Sequence, residues 1–213
     1  MTDFYTACQN RENEIIQKVR KQLGDYRIET PHQDRVYRHL VCFNPEKGQE
    51  CSFEVYTAPH IVTIQGDWCK AYTLEAERDM LTEFLNDDEP NINYWAEKVQ
   101  NRTNLKTTEY EFVLRYLFDY LNNWADHDME PDTLNNLKRE VAKMTDIDDP
   151  LFIDNLSDLS FGYLDRKGKP VHAQPFYNLD FEDVLWDIWT EEWIRVCELL
   201  RWTACEVAAM EKR

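Results

Sequence analysis

Between residues 36 and 74 apolar and polar positions alternate in four short runs, VYRHLVCF, SFEVYTA, HIVTIQG and CKAYTL. Alternation with β-branched and aromatic residues predicts half-buried strands. NPEKGQE, Ala58-Pro59 and Gly66-Asp67 separate the runs and predict turns. Together they predict an antiparallel meander of about four strands. Before it, Phe4, Ala7, Ile15, Ile16, Val19 and Leu23 recur at helical spacing and predict a helix over residues 3–23, with Gly24 as its stop and Asp3 near its start. After residue 75 the period becomes helical. Helices are expected around residues 75–86, 92–100, 107–125, 131–144 and 149–164, with a loop over 165–175. A last helix, about 188–211, carries Trp189, Trp193, Val196, Cys197, Leu200, Ala204, Val207 and Ala208 on its buried side.

The fold class that follows is α+β, a small antiparallel sheet flanked by helices with a mostly helical C-terminal half. Strands and helices are segregated, which argues against a doubly wound parallel sheet. The composition changes near residue 100. Residues 1–100 read as an α+β unit and 101–213 as a helical extension packed on it, within one domain or two.

Charge then narrows the function classes. The 213 residues carry a formal charge of −17, which argues against direct binding of nucleic acid. Residues 111–190 hold 17 Asp and Glu against 7 Lys and Arg, while residues 1–110 hold 19 against 13. The acid is therefore densest in the helical half. Asp119, Asp126, Asp128, Glu130, Asp132, Asp146, Asp148, Asp149, Asp154 and Asp158 lie on or beside predicted helices. Carboxylates so placed would compete with phosphates for a basic channel. The start of the chain lacks a basic region followed by an apolar stretch, and no apolar run approaches the ~18 residues of a spanning helix. A cytoplasmic protein with reduced cysteines and no membrane partner is the expectation.

Motifs for chemistry are absent. DHDMEPD places Asp126, Asp128 and Glu130 like the first ligands of a calcium loop, but Pro131 stands where Gly is required and Leu137 where Glu is required. The five histidines show no metal-binding spacing, and the six cysteines form no C-x-x-C. No phosphate-cradling glycine loop and no G-x-S-x-G occur. No metal, cofactor or catalytic residue is expected. Gly66-Asp67 reads first as a turn. His39, Asp67, Trp68, Trp95 and Glu97 form a second candidate patch near the sheet.

One stretch suggests kinship. Tyr37-Arg38-His39-Leu40, Gly66-Asp67, Asp79-Met80 and Ile92-Asn93-Tyr94-Trp95-Ala96-Glu97-Lys98 resemble a group of small accessory proteins encoded by tailed bacteriophages and prophages. The resemblance covers residues 35–99, with a looser likeness in the Trp-rich last helix. It implies a phage or mobile-element origin, and by analogy an antagonist of host defence such as an anti-CRISPR protein. The expected partner is a bacterial defence protein or complex with a basic nucleic-acid-binding surface, blocked by protein contact and nucleic-acid mimicry. One alternative is a small-ligand binder or enzyme with a pocket at the sheet, near His39, Asp67 and Trp95. Another is a homo-oligomeric assembly factor, down to a homodimer, joined through the last helix.

Overall fold

The structure, a computed structural model, describes residues 3–48, 50–101, 105–125, 129–144, 152–165, 167–177, 179 and 187–212. It is α+β. In chain order the elements are α1 (Phe4–Leu23), β1 (Arg27–Asp34), β2 (Tyr37–Phe43), β3 (Phe53–Ala58), β4 (Ile61–Gly66), β5 (Cys69–Glu75), a π-helix (Met80–Phe84), α2 (Ile92–Lys98) and β6 (Lys106–Thr108). There follow α3 (Tyr110–Trp124), α4 (Pro131–Val141), α5 (Phe152–Ser157), β7 (Phe161–Leu164), β8 (Pro170–Ala173), β9 (Asp187–Trp189) and α6 (Glu191–Glu211). The chain divides into two compact units. A sheet unit comprises Asn10–Lys106 and Trp189–Arg213, and a helical unit comprises Met1–Gln9 and Thr107–Ile188. The chain crosses between the units after Gln9, again after Lys106, near the compositional break at residue 100, and a third time after Ile188, so that the last helix returns to the sheet unit.

In the sheet unit β1 to β5 form one antiparallel meander in sequence order. Four of the strands are the alternating runs. In β2 and β3 every second residue is buried, Arg38, Leu40 and Cys42 on one and Phe53, Val55 and Thr57 on the other. The fifth strand, β1, has no apolar alternation (RIETPHQD) and is almost wholly exposed. It forms because β2 offers it a backbone ladder, broken by an irregularity between Glu29 and His32. Pro31, which lacks an N–H, is tolerated because β1 is an edge strand.

The Gly66-Asp67 turn has a steric cause. Gly66 has φ +153°, and a Cβ there would lie 2.5 Å from the Ser52 carbonyl oxygen and 2.6 Å from the Phe53 Cα. Only glycine lets the two backbones approach this closely. The Asp67 N–H then donates to the Ser52 carbonyl at 3.0 Å.

The inner sheet face packs with Ile16, Val19 and Leu23 of α1 and with Trp193, Val196, Cys197 and Leu200 of α6 in a single core. Each such side chain contributes roughly 1.5–3 kcal/mol on burial. Trp193 Nε1 donates to the Ile92 carbonyl at 3.3 Å, tying α6 to α2. Two ionic groups lie within this architecture. The Arg38 guanidinium bonds both Asp79 oxygens at 3.1 and 3.0 Å and Glu211 at 3.0 Å. Glu198, 0% exposed, accepts from Arg20 and Arg201, and Arg20 also reaches Glu89. Asp79 additionally caps the π-helix by accepting the Leu81 and Thr82 N–H groups.

The helical unit has its own core of Val113, Leu117, Leu121, Leu137, Val141, Phe152, Leu156 and Phe176. Where the sequence predicts one helix over 149–164, α5 ends at Ser157 and an antiparallel hairpin of β7 and β8 follows. The reason is local. Asp165 accepts the N–H groups of Lys167 and Lys169 at 2.9 and 2.8 Å, and Gly168 turns at φ +74°. The expected loop over 165–175 is thus the tip and second strand of this hairpin.

Candidate functional site

The acidic positions of the helical unit have different physical roles. Asp119, on α3, is half-buried, and its Oδ2 accepts the Phe4 N–H at 2.6 Å. That N–H opens α1 and has no partner within the helix, so Asp119 supplies one from another element. Asp3 caps the same turn, accepting from the Thr6 N–H at 2.9 Å and the Thr6 hydroxyl at 2.7 Å. Glu130 is the residue before α4, and Asp132 and Asp154 lie in the first turns of α4 and α5. A carboxylate there opposes the positive end of the helix dipole, so folding alone accounts for two of them. Asp158, exposed just after α5, has no such explanation. Asp132, Asp154 and Asp158 form no ion pair among the described residues. Asp126, Asp128, Asp146, Asp148 and Asp149 lie outside the described residues.

Asp119 borders a cleft of about 500 Å³ within the helical unit. Two carboxylates (Asp3, Asp119), three phenols (Tyr5, Tyr116, Tyr120) and the amides of Asn122 and Asn123 line it, without a Lys or Arg. Tyr5 is 75% exposed. Phe4 meets Tyr5 and Tyr116 edge-on at 5.5 Å each, which fixes the rings. Burial, then the neighbouring Tyr5 and Tyr120, push the Tyr116 phenol upward, so it stays a neutral donor. Hydrogen bonds from the Thr6 backbone foremost hold Asp3 below its usual range. Lys138, a nearby cation, is engaged with Asn122 Oδ1 and the Phe118 ring. Carboxylates beside aromatic faces favour a guanidinium or ammonium group. Nothing in the spacing of Asp3 and Asp119 along the chain signals this cleft; α1 and α3 must first pack.

The second candidate patch is not one site. Trp95, grouped with this patch but expected to pack against the sheet, is 1% exposed and belongs to the core, because it lies on the same face of α2 as Ile92. Trp68 stacks on Tyr26 at 5.2 Å and 7° and packs against the core. Asp67 is exposed in the turn, and Glu97 is exposed on α2. His39 is on the outer sheet face, stacked on Tyr56 at 4.4 Å. Its neighbour on that face is Glu54, which the sequence reading passed over. The period of two does put Glu54 and Tyr56 on one side of β3, but only the register brings them to His39.

Among the described residues no three His, Cys, Asp or Glu side chains converge as metal ligands. No disulfide joins the six cysteines. Burial pushes the Cys42 and Cys69 thiols up to about 12, which makes them packing groups and not nucleophiles. Among the described residues no helix is long and apolar enough to cross a membrane. Comparison with protein-family models finds no match, and comparisons with curated proteins and with solved structures find none either.

Proposed function

We propose that this protein is an acidic, non-enzymatic binding protein that blocks the basic surface of a bacterial nucleic-acid-handling complex. Host-defence effectors are the class of partner proposed, in the setting of a phage or prophage accessory protein acting in the host cytoplasm. The observation that supports the reading is the cleft bordered by Asp3 and Asp119, lined by three tyrosines and no cation. Asp132, Asp154 and Asp158 of the same unit add exposed negative charge that forms no ion pair among the described residues. A partner's arginines, which otherwise hold phosphates, would seat against these groups.

The test is a pull-down from bacterial lysate containing defence systems, eluted by a salt gradient and identified by mass spectrometry. Wild-type protein should retain a nucleic-acid-binding complex that moderate salt releases. A Tyr5→Ala, Asp132→Lys, Asp154→Lys, Asp158→Lys variant should retain none of it while keeping the wild-type circular dichroism spectrum. Undiminished capture by that folded variant would remove the helical unit as the interface.

A further inference from the structure

A cavity of about 830 Å³ lies on the sheet face opposite the core. Its size is that of a small-ligand site. Glu29, Val41, Glu54 and Gln65 form one row across it, because Glu29 pairs with Val41, Val41 with Glu54 and Glu54 with Gln65. Asp67 and Phe43 complete the rim. Neighbouring strands lie about 4.8 Å apart, so the backbones of Glu29 and Glu54, two strands apart, are separated by roughly 10 Å. The half-buried Val41 and Phe43 supply apolar surface alongside that row.

Glu54 is held in place. Its Oε2 accepts from the Tyr56 hydroxyl and lies 3.2 Å from His39 Nε2. The hydrogen bond from Tyr56 foremost, with His39, keeps the Glu54 carboxyl below its usual range. An ionised carboxylate only accepts, so His39 carries its proton on Nε2 in that bond. The other Glu54 oxygen has no partner among the described residues. The one cation on the rim, Lys70, is committed elsewhere: its Nζ lies 3.5 Å from Glu192 and its N–H donates to the same carboxylate at 2.8 Å. The groove therefore presents the separated carboxylates of Glu29 and Glu54, with Asp67 at the rim and apolar surface beside them.

We propose that this groove is a binding site for a linear aliphatic polyamine, whose cationic nitrogens are separated by methylene chains. One ammonium group meets the free oxygen of Glu54, a second meets Glu29, and the methylenes lie along Val41 and Phe43. A divalent metal ion would match neither the separation of the carboxylates nor the apolar surface. The site belongs to the sheet unit and does not depend on the partner proposed for the helical unit.

Calorimetric titration of the full chain with spermidine tests this, with butylamine and magnesium chloride as controls. Because the whole protein is strongly acidic, the reference variant is Asp154→Asn, which removes one charge from the other unit. Wild type and D154N should bind spermidine at one saturable site, and Glu54→Gln should weaken it by about tenfold, as loss of a charge-assisted contact does. Glu29→Gln, on an exposed edge strand, should weaken it in the same direction and guards against misfolding of the Glu54 variant. Absence of saturable binding overturns the proposal. So does equal weakening by D154N, or equal affinity for magnesium or butylamine, since either means unspecific attraction to an acidic protein.

Discussion

The two units use charge in opposite ways. In the sheet unit the buried carboxylates are tied into the fold: Glu198 is enclosed by Arg20 and Arg201, and Asp79 joins Arg38 to the π-helix cap. In the helical unit several carboxylates stay at the surface, and Asp132, Asp154 and Asp158 are exposed without an ion pair among the described residues. A charge enclosed in an apolar core must be paired, because its desolvation is otherwise uncompensated. A charge at the surface needs no partner and remains available to one. Buried negative charge thus has a structural use in the sheet unit, while exposed carboxylates of the helical unit stand without an ion pair among the described residues.

The strongest way to break that contrast is to remove the enclosed carboxylate. Glu198→Ala leaves the Arg201 guanidinium without its carboxylate, while Arg20 keeps only Glu89, and should cost roughly 3–5 kcal/mol in urea unfolding. A loss below about 1 kcal/mol would show that the network contributes little. Gly66→Ala tests whether the turn is structural. It forces a Cβ against the Ser52 and Phe53 backbone and should cost roughly 2–4 kcal/mol, read as a lowered unfolding midpoint.

Acid sharpens the contrast further. Burial opposes ionisation of Asp79, but the hydrogen bonds from Arg38 and Thr82 outweigh it and hold the carboxyl below its usual range. A depressed carboxyl contributes stability that is fully present above the unfolded value and lost as pH falls through the folded one. Wild-type stability should therefore decline below about pH 4 by a component that Asp79→Asn lacks, seen in paired denaturation series. The smallest effects are expected in the helical unit. Asp132→Asn and Asp154→Asn should each cost only about 0.3–1 kcal/mol, the worth of a carboxylate at a helix start, and Asp158→Asn about 0.5 kcal/mol or less. Losses of several kcal/mol there would make these groups structural and weaken the recognition reading.

The legibility of the molecule follows the same physical line. Strands β2 to β5 and helices α1, α3 and α6 were readable because one face of each is buried and the apolar period records it. Strand β1 was not, because an exposed edge strand needs only a backbone neighbour and leaves no pattern in RIETPHQD. The hairpin of β7 and β8 was missed for a related reason. FGYL is too short to distinguish helix from strand, and the Asp165 turn decides. Trp95 cannot serve the second patch, because its helix turns it inward with Ile92.

From the sequence alone came the α+β class, the meander, the glycine turn and the concentration of acid in residues 111–190, all properties of local periodicity and composition. The tertiary structure alone decided that the last helix returns to the sheet, that Asp119 meets the start of α1 beside three tyrosines, and that His39, Tyr56 and Glu54 converge across two strands. Those facts depend on register and packing between segments far apart in the chain. No local pattern encodes which of many compatible surfaces meet, because the burial that selects among them exists only once the chain has folded.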